Sequence, residues 1–507
     1  MLKSCLVVNT LLFKDINVFP ELFLGTSLVY LTLHCTFLSV QKKFPLIQSS
    51  VINLVLLVLI FTWYLLINDG LDLLGTSIFN DTLVNDYLSF SSQSIILILS
   101  FFCLLVIQQY VVYQGLNNFE YVLIFLFSVL GLLVLCAAND LITAYLAIEL
   151  QSLAFYVLAS FKKSSSFSIE SGLKYFILGS FSSSLFLLGS SFLYGVSGTV
   201  NLEEYKSLFM FVNTCNPESI IDLGLLQVGL SLILSSLFFK LVVAPFHAWA
   251  PNVYEGSPTS SALFFSVVPK IAFFVFLVRL FYFSFEGILH SWRYFLVLII
   301  LFSVVVGSFG GLEQRKLKSL LVYSSISHMG YSLLAFSSGT KEGLQFLFSY
   351  LLIYSFSGLC LWSIFIFLRL KNKNNLKQNK DLTDFALLIK SNPMVSIFFA
   401  TVLFSLAGFP PMIGFLVKVG VFLTVIDMSM YFVALISILC SVVATFYYIR
   451  IIKILFFEQG LVGKLYYPIS AQTAVVIVLL FYFIIYLFCN PTLLFLFTQK
   501  MCLLIRI

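Results

Sequence analysis

The chain is 507 residues long, 60% of them hydrophobic and only 10% charged, and its mean hydropathy is +1.05. A soluble domain carries about 25% charged residues, so this composition excludes a soluble globular protein and indicates an integral membrane protein. The apolar runs suit helices, which need about 20 residues to cross a bilayer, and they lack the alternation of β-barrel strands. The net charge of +6 is spread over the loops and gives no sign of nucleic-acid binding.

Several signals of other functions are missing from the sequence. The first residues resemble neither an Arg-rich transit peptide nor a cleavable signal sequence, so we expect insertion without a removable address. The nine cysteines form no CxxC pair and no metal-ligand spacing with histidine, which predicts no metal, iron–sulfur cluster or structural disulfide. We find no nucleotide-binding loop, zinc-protease motif or nucleophile elbow, so we expect no covalent catalysis by this chain itself.

Long apolar runs separated by Pro, Gly, Asn and charged residues predict fourteen membrane-spanning helices in an all-α polytopic protein. Their midpoints lie near Tyr30, Leu59, Phe101, Ser128, Ile148, Ser184, Phe239, Phe273, Leu301, Ser327, Leu359, Gly408, Cys440 and Tyr482. The seventh and twelfth spans are about 30 residues long, which is more than a bilayer requires, and each contains proline in mid-run.

The two long spans are predicted to break at mid-membrane depth. Proline removes a backbone donor and clashes with the carbonyl four residues earlier, so Leu241–Pro245 and Gly408–Pro411 should lose regular helical hydrogen bonding. Broken helices at corresponding positions of two halves are typical of inverted-repeat transporters. We therefore expect spans 4–8 and 9–13 to be two inverted five-helix repeats; an ordinary proline kink in each span is the alternative. The resulting segments are 1–115 with three N-terminal helices, 116–285 and 286–460 with the repeats, and 461–507 with a C-terminal helix.

The loops between the predicted spans separate by charge. Alternate loops carry the basic residues Lys42, Lys43, Lys162, Lys163, Arg315, Lys316, Lys318, Lys371, Lys373, Lys377, Lys380, Lys390, Lys453 and Lys464. The other loops carry the acidic residues Asp69, Asp72, Asp81, Asp86, Glu203, Glu204, Glu218 and Glu286, with few basic residues beyond Lys206, Arg293 and Lys341. Basic loops stay on the side from which a membrane protein inserts. With fourteen spans, both termini are then expected on the opposite side.

Four ionisable residues lie deep inside apolar runs: Glu149, Lys240, Lys270 and Lys418. Placing a charge near the middle of a membrane helix costs roughly 2.5–3.5 kcal/mol on insertion scales. One such charge is tolerable, but four with both signs present indicate a path for protons or ions across the bilayer.

A lysine and a glutamate that can separate would form a proton switch. A medium of low dielectric constant disfavours the ammonium form of lysine, and a nearby carboxylate favours it. Glu149 and Lys240 are the predicted pair; a static ion pair that fixes helix packing is the alternative. His247 and His328 are candidates to pass protons between the lysines, although structural hydrogen bonding is an equal alternative. We expect the six residues to form one polar lane parallel to the membrane plane.

Several segments resemble a known family. They include AANDLITAYLAIELQSLAFYVLA, KLVVAPFHAWAPNVYEGSPT, KLKSLLVYSSISHMGYSLLAFSSGT and LAGFPPMIGFLVK. They are similar to the subunit 2 family of mitochondrial NADH:ubiquinone oxidoreductase (respiratory complex I), which belongs to the same superfamily as the large subunits of cation/proton antiporters. The resemblance covers residues 118–457. It implies that Glu149 is the carboxylate of the fifth helix, Lys240 its partner, Lys270 the central lysine and Lys418 the lysine of the second half-channel.

The resemblance implies a proton-translocating subunit of the complex I membrane arm in the mitochondrial inner membrane, with both termini in the intermembrane space. It implies that NADH, flavin, iron–sulfur clusters and ubiquinone are bound by other subunits. Expected partners are neighbouring membrane-arm subunits, accessory subunits and membrane lipids, cardiolipin among them. Two alternatives remain open from the sequence: a subunit of a cation/proton antiporter, and a structural membrane-arm subunit without its own proton path.

Overall fold

The computed structural model describes residues 18–40, 44–70, 75–114, 118–212, 223–371, 376–378, 381–386, 388–458 and 471–503. The first half of the chain forms α1 (Phe19–Val40), α2 (Phe44–Gly70), β1 (Thr76–Ile78), β2 (Leu83–Asn85), α3 (Tyr87–Tyr113), α4 (Glu120–Ala137), α5 (Leu141–Ser160), α6 (Ser166–Ser197), α7 (Leu202–Val212), α8 (Leu223–Leu241), α9 (Ala250–Gly256) and α10 (Thr259–Val278). A π-helical turn, Arg279–Ser284, extends α10, and a 3-10 turn, Glu286–Ile288, leads to the second half.

The second half of the chain is also helical. It forms α11 (Leu289–Leu312), α12 (Leu317–Phe336), α13 (Lys341–Phe367), β3 (Arg369–Lys371), β4 (Leu376–Gln378), the 3-10 turn Leu382–Phe385, α14 (Leu388–Ser391), α15 (Pro393–Ala407), α16 (Ile413–Asp427), α17 (Tyr431–Phe456), α18 (Ala471–Cys489) and α19 (Pro491–Leu503). The two strand pairs, β1–β2 and β3–β4, are short antiparallel hairpins between helices.

The predicted class, an all-α polytopic membrane protein, is confirmed. Among the described residues, twelve helices are long and apolar enough to cross a membrane. Two further predicted spans correspond to α12, whose serines and histidine make it more polar, and to the short consecutive helices α15 and α16. The total of fourteen spans, the inverted repeats and the segment boundaries remain predictions. The boundaries at 115/116 and 460/461 lie outside the described residues, as do the positions of Lys42, Lys43, Asp72, Glu218, Lys373, Lys380 and Lys464.

Helix α10 occupies the centre of the protein. Every residue from Thr259 to Val278 is buried, and the helix continues through Pro269. It packs against α3 and α4 on one side and against α13 on the other. A helix that is apolar all round, as this one is apart from Lys270 and a few hydroxyls, is stable only inside a bundle. Lys270 therefore lies in the middle of the protein and away from lipid.

Both predicted helix breaks are confirmed. The first break begins one residue later than predicted, because Leu241 is the last residue of α8. That helix gives way to an irregular turn in which Val242 has a φ of +61°, and helical structure resumes only at Ala250. Helix α15 ends at Ala407, Gly408 has a φ of +81°, and α16 begins at Ile413. Glycine adopts this left-handed conformation without steric cost, so it suits the end of a helix.

Loops at one set of helix ends carry most of the predicted basic positions (the basic face), and loops at the other set carry most of the acidic ones (the acidic face). Which side of a membrane each face occupies remains a prediction. On the basic face, Lys162 donates to Gln114, Lys316 pairs with Glu255, and the backbone of Lys316 bridges that of Asp381. These contacts bring together the ends of α3 and α5, helix α9 and the starts of α12 and of the 3-10 turn at Leu382.

The acidic face lies at the opposite helix ends. The side chains of Asn139 and Asn201 both donate to the carbonyl of Asp81, at 2.9 and 3.1 Å. Asp140, at the start of α5, lies in the same group. Burial, followed by the charges of Glu204 and Asp81, raises the pKa of Asp140 above its ordinary value. The carboxylates therefore face one another across this side of the protein.

Four single-cysteine variants test this topology in sealed vesicles. Lys163→Cys and Lys377→Cys should be labelled from one side of the membrane only, and Glu204→Cys and Lys341→Cys from the other side only. The reason is the length of α6, whose 32 residues span about 48 Å at 1.5 Å per residue. The measurement is alkylation by a membrane-impermeant maleimide in a cysteine-depleted background. Labelling of Lys163→Cys and Glu204→Cys from the same side would refute the order of spans.

Candidate functional site

The first cluster of predicted site residues lies between α5 and α8. Lys240, in the last turn of α8, donates to the Tyr156 hydroxyl at 3.4 Å, and its Nζ lies 5.7 Å from the centre of that ring. Glu149 is on the same helix as Tyr156, and its Oε2 accepts a hydrogen bond from Ser152 at 3.4 Å. Residues 149, 152 and 156 are spaced by three and four positions, so they share one face of α5. This face is a line of polar groups that ends at the lysine.

Glu149 and Lys240, the predicted pair, are not in direct contact. The two side chains make no salt bridge within 4.0 Å. The reason is position along the helix: Lys240 reaches Tyr156, which lies two turns beyond Glu149, or about 10 Å along the axis. The structure therefore holds the pair apart, with Ser152 and Tyr156 between the two charges.

His247 lies in the break between α8 and α9. Its ring is half-buried and faces Tyr323 of α12, with 6.5 Å between the ring centres. Trp249, two residues later, donates its indole N–H to the carbonyl of Phe239 at 3.2 Å. This hydrogen bond adds a second donor to a carbonyl at the end of α8, which also accepts from the backbone N–H of Val242 at 3.2 Å.

The second cluster begins at Lys270 in the middle of α10. Lys270 is 2% exposed and donates to the Tyr354 hydroxyl of α13 at 2.7 Å. Its Nζ also lies 4.4 Å from the centre of the Tyr354 ring, a distance at which an ammonium is attracted to the face of the ring. A single tyrosine thus supplies both the hydrogen-bond partner and the aromatic contact of this buried cation.

His328 of α12 is held between two tyrosine hydroxyls. Its Nδ1 lies 2.6 Å from Tyr350 of α13, and its Nε2 lies 3.0 Å from Tyr448 of α17. A neutral imidazole donates through one nitrogen and accepts through the other, so one of the two tyrosines donates and the other accepts. The ring of Tyr354 lies next to it, with centres 5.3 Å apart. This arrangement places the histidine one side chain away from Lys270.

Lys418 completes this cluster from α16. Its Nζ donates to the carbonyls of Leu406 and Ala407, at 2.9 and 2.8 Å, which are freed by the end of α15. The carbonyls left free at this break thus take a charged side chain as partner. A cation at the C-terminus of a helix is also favoured by the helix dipole.

A small cavity joins Lys418 to the histidine. It has a volume of about 10 Å³ and is lined by His328, Tyr350, Tyr354, Lys418 and neighbouring residues. This volume is close to the smallest that holds one water molecule. Lys270, His328 and Lys418 are therefore brought together as predicted, around tyrosine side chains.

The contacts do not extend this cluster to Lys240. Between the two clusters lie aromatic rings: Tyr156 packs edge-on against Tyr175, and Tyr175 stacks on Trp249 at 4.5 Å. Tyr175 also lies 6.2 Å from Phe265, which precedes Lys270 by five residues on α10. The structure therefore brings the six predicted residues together as two groups, with His247 near the break. The single polar lane remains a prediction.

The tyrosines at the site, other than Tyr331 on the helix of His328, are not predicted from the sequence. The structure instead gathers Tyr331, Tyr350, Tyr354, Tyr447 and Tyr448 around His328 and Lys418. A signal for part of this cluster is present in the sequence. Tyr350 and Tyr354 are four residues apart, a spacing that places them on one face of a helix.

A buried arginine was also missed. Arg279 follows α10 and forms a 2.8 Å salt bridge with Asp86, at the start of α3, and donates to the carbonyl of Ala137 at 3.4 Å. The sequence analysis assigns Asp86 to an exposed acidic loop, whereas the structure buries it. Nothing in the local sequence joins the two residues, which are 193 positions apart.

No metal site is formed within the part of the chain that the structure describes. There, no group of three or more His, Cys, Asp or Glu side chains is placed to hold a metal ion. The seven cysteines in that part are all free thiols. The chemistry available at the site is that of ammonium, imidazole, carboxylate and phenol groups, all of which exchange protons.

Helices that break beside buried ionisable residues define a transporter-like, polytopic membrane protein. Residues 138–444 match the family described as NADH:quinone oxidoreductase/Mrp antiporter, TM. The chain belongs to this family.

Relatives along the whole chain agree with this assignment. NADH-ubiquinone oxidoreductase chain 2 of Marchantia polymorpha is 36% identical over 490 residues, which cover 96% of this chain and 97% of that protein. NADH-quinone oxidoreductase subunit N of Pelagibacter ubique is 38% identical over 442 residues, covering 87% and 89%. A chain of respiratory complex I from Thermus thermophilus has a TM-score of 0.76 and 26% identity, covering 94% of this chain and 98% of that one.

Proposed function

We propose that this chain is a proton-translocating subunit of the membrane arm of respiratory complex I, and that protons move through it along Glu149, Lys240, His247, Lys270, His328 and Lys418. The observation that carries the proposal is the buried cluster in which Lys270, His328 and Lys418 meet around tyrosine hydroxyls. Charges of this kind are costly inside a membrane, and a role in proton transfer explains why three cationic or titratable groups are placed together.

Each residue has a role in this proposal. Lys240 and Glu149 form the switch at one end, since movement of the carboxylate toward or away from the lysine changes how strongly the ammonium form is favoured. Lys270 holds a proton at the centre of the protein. His328 passes protons between Lys270 and Lys418 because imidazole can bind a proton at one nitrogen and release one from the other. His247 passes protons at the break between α8 and α9.

The tyrosines supply the connections between these groups. Tyr156 lies between Lys240 and the polar face of α5, and Tyr354 lies between Lys270 and His328. A phenol hydroxyl both donates and accepts a hydrogen bond, so it can pass a proton without carrying a charge of its own. Rotation of these side chains would open and close the path.

The redox chemistry takes place in other subunits, which bind NADH, flavin, iron–sulfur clusters and quinone. The partners in this proposal are the other membrane-arm subunits, accessory subunits and membrane lipids. The protein lies in the inner mitochondrial membrane with both termini on the intermembrane-space side. Co-purification with flavin and iron–sulfur subunits separates this proposal from a stand-alone cation/proton antiporter, which would purify without them.

Lys240→Ala tests the proton path directly. The variant should lower the number of protons pumped per electron in assembled complex I, because it removes the cation that couples α5 to α8. The measurement is the acidification of proteoliposomes during NADH oxidation, made on complexes of verified subunit composition.

The control is Lys341→Ala, which removes an exposed lysine at the start of α13. It should leave the ratio unchanged. An unaltered ratio in assembled Lys240→Ala complexes would mean that the chain has a structural role in the membrane arm.

A further inference from the structure

The basic face contains a pocket that the proton path does not use. Its volume is about 480 Å³. Its walls come from the ends of α3 and α13, the start of α6, the α9–α10 connection and the start of α12. It therefore lies where the N-terminal helices and both predicted repeats meet, more than two turns of α10 from Lys270.

The pocket has an excess of positive charge. Its lining contains six charged side chains: Lys162, Lys174, Lys316, Lys318, Glu170 and Glu255. Each glutamate is paired with a lysine, since Lys174 lies 2.6 Å from Glu170 and Lys316 pairs with Glu255. By formal charge, the four lysines and two glutamates give the lining a net charge of +2 in a partly enclosed space. Such a space favours an anion, because low-dielectric walls strengthen the local field.

Two further features favour a phosphate group. Pro258 and Thr259 line the pocket, so the first turn of α10 forms part of its wall. A helix N-terminus carries partial positive charge, which suits phosphate; the Thr259 N–H itself donates to the Tyr110 hydroxyl at 3.3 Å. Lys162 donates to the neutral oxygen of Gln114 at 3.2 Å, so its charge is not balanced by that contact. Phe167 and Phe365 add apolar surface beside these groups.

We propose that this pocket binds a phosphate-bearing anion, supplied either by the headgroup of an acidic phospholipid or by free phosphate. Basic pockets between membrane helices on the insertion side are known to take acidic headgroups. A ligand there would contact residues on both sides of the junction between α6 and α12, and so would hold the two halves of the protein together. The site is independent of the proton path, and its test does not depend on pumping.

The test measures protection of a pocket residue in delipidated, assembled complex I in detergent. Asn252→Cys places a thiol in the lining, and its alkylation rate is followed as dioctanoyl phosphatidylglycerol, dioctanoyl phosphatidylcholine or inorganic phosphate is added. Phosphatidylglycerol should slow alkylation at lower concentrations than phosphatidylcholine does. In the Lys162→Glu background, half-protection should need about tenfold more phosphatidylglycerol.

Lys163→Glu is the matched control, because it reverses a neighbouring charge on the same loop that does not line the pocket. Protection by inorganic phosphate equal to that by phosphatidylglycerol would assign the site to free phosphate. Equal protection by the two lipids, or equal weakening by the two charge reversals, would overturn the proposal. If Asn252→Cys resists alkylation without added ligand, an electron cryomicroscopy map of the complex shows whether the pocket holds a ligand. Headgroup density beside Lys162 supports the site; an empty pocket or side chains from a neighbouring subunit refute it.

Discussion

Lys270→Met should lower proton-coupled turnover of assembled complex I by about 100-fold, which is the lower end of the contribution of a well-placed proton-transfer group. Methionine keeps much of the length and apolar volume of the lysine, so α10 should stay packed. What it removes is the proton-binding group that donates to Tyr354 at 2.7 Å and lies one ring away from His328. The measurement is the rate of NADH oxidation and of coupled proton pumping by complexes of verified composition.

Tyr354→Phe separates proton transfer from packing at the same place. It keeps the ring against Lys270 and deletes only the hydroxyl, so turnover should fall while assembly is preserved. The matched control is Tyr121→Phe, which also deletes a buried hydroxyl. That hydroxyl bonds Ser260 at 2.9 Å, and Ser260 lies on α10, the helix that carries Lys270. Equal losses in the two variants would mean that the Tyr354 hydroxyl only stabilises packing. Full activity in Lys270→Met would exclude Lys270 from the path.

Gly414→Ala should prevent the two parts of the second broken helix from packing. A Cβ at this position would lie 1.9 Å from the carbonyl oxygen of Ser405, and 2.9 Å from its carbonyl carbon. Backbone atoms cannot rotate away as a side chain can, so α15 and α16 must separate. Overpacking in a core costs about 1–3 kcal/mol, occasionally more, and we expect about 3 kcal/mol or more here. The measurements are the yield of assembled complex and its thermal midpoint.

Gly195→Ala is the control for this substitution. Gly195 is also within a long helix, but a Cβ there would meet no atom within 4 Å. Alanine is the better helix former, so this variant should assemble normally. If Gly414→Ala complexes form with the same yield and midpoint as Gly195→Ala complexes, then the close approach of α15 and α16 is not required for assembly.

The sequence was sufficient to find the charges and the breaks. Lys270 and Lys418 stand out because an apolar run offers no ordinary reason for a lysine, and the structure buries both. The positions of the prolines were enough to predict the end of α8 and the break between α15 and α16, because the effect of proline on helical hydrogen bonding is local. Lys240 lies beside α5, and its contact there is Tyr156; helix spacing alone does not fix how far a lysine reaches along its neighbour.

The partners at the site could not be read from the sequence for two physical reasons. Tyrosine is common in this chain, with 25 copies, and it occurs both in cores and at membrane surfaces, so a single tyrosine such as Tyr448 carries no signal of its own. The salt bridge between Arg279 and Asp86 joins residues that are distant in sequence, and only the packing of α3 on α10 brings them together. Hydropathy also undervalues α12, because the serines and histidine that matter for the site make it less apolar.

Helix α10 is anchored at both of its ends. At the basic face, the backbone of Thr259 donates to Tyr110 and Ser260 bonds Tyr121; at the acidic face, Arg279 pairs with Asp86. A helix held in this way cannot slide or turn about its axis without breaking at least one anchor. Lys270 therefore lies on a helix whose two ends are held in place. The movements that carry a proton past it must come from side-chain rotation and from the broken helices around it.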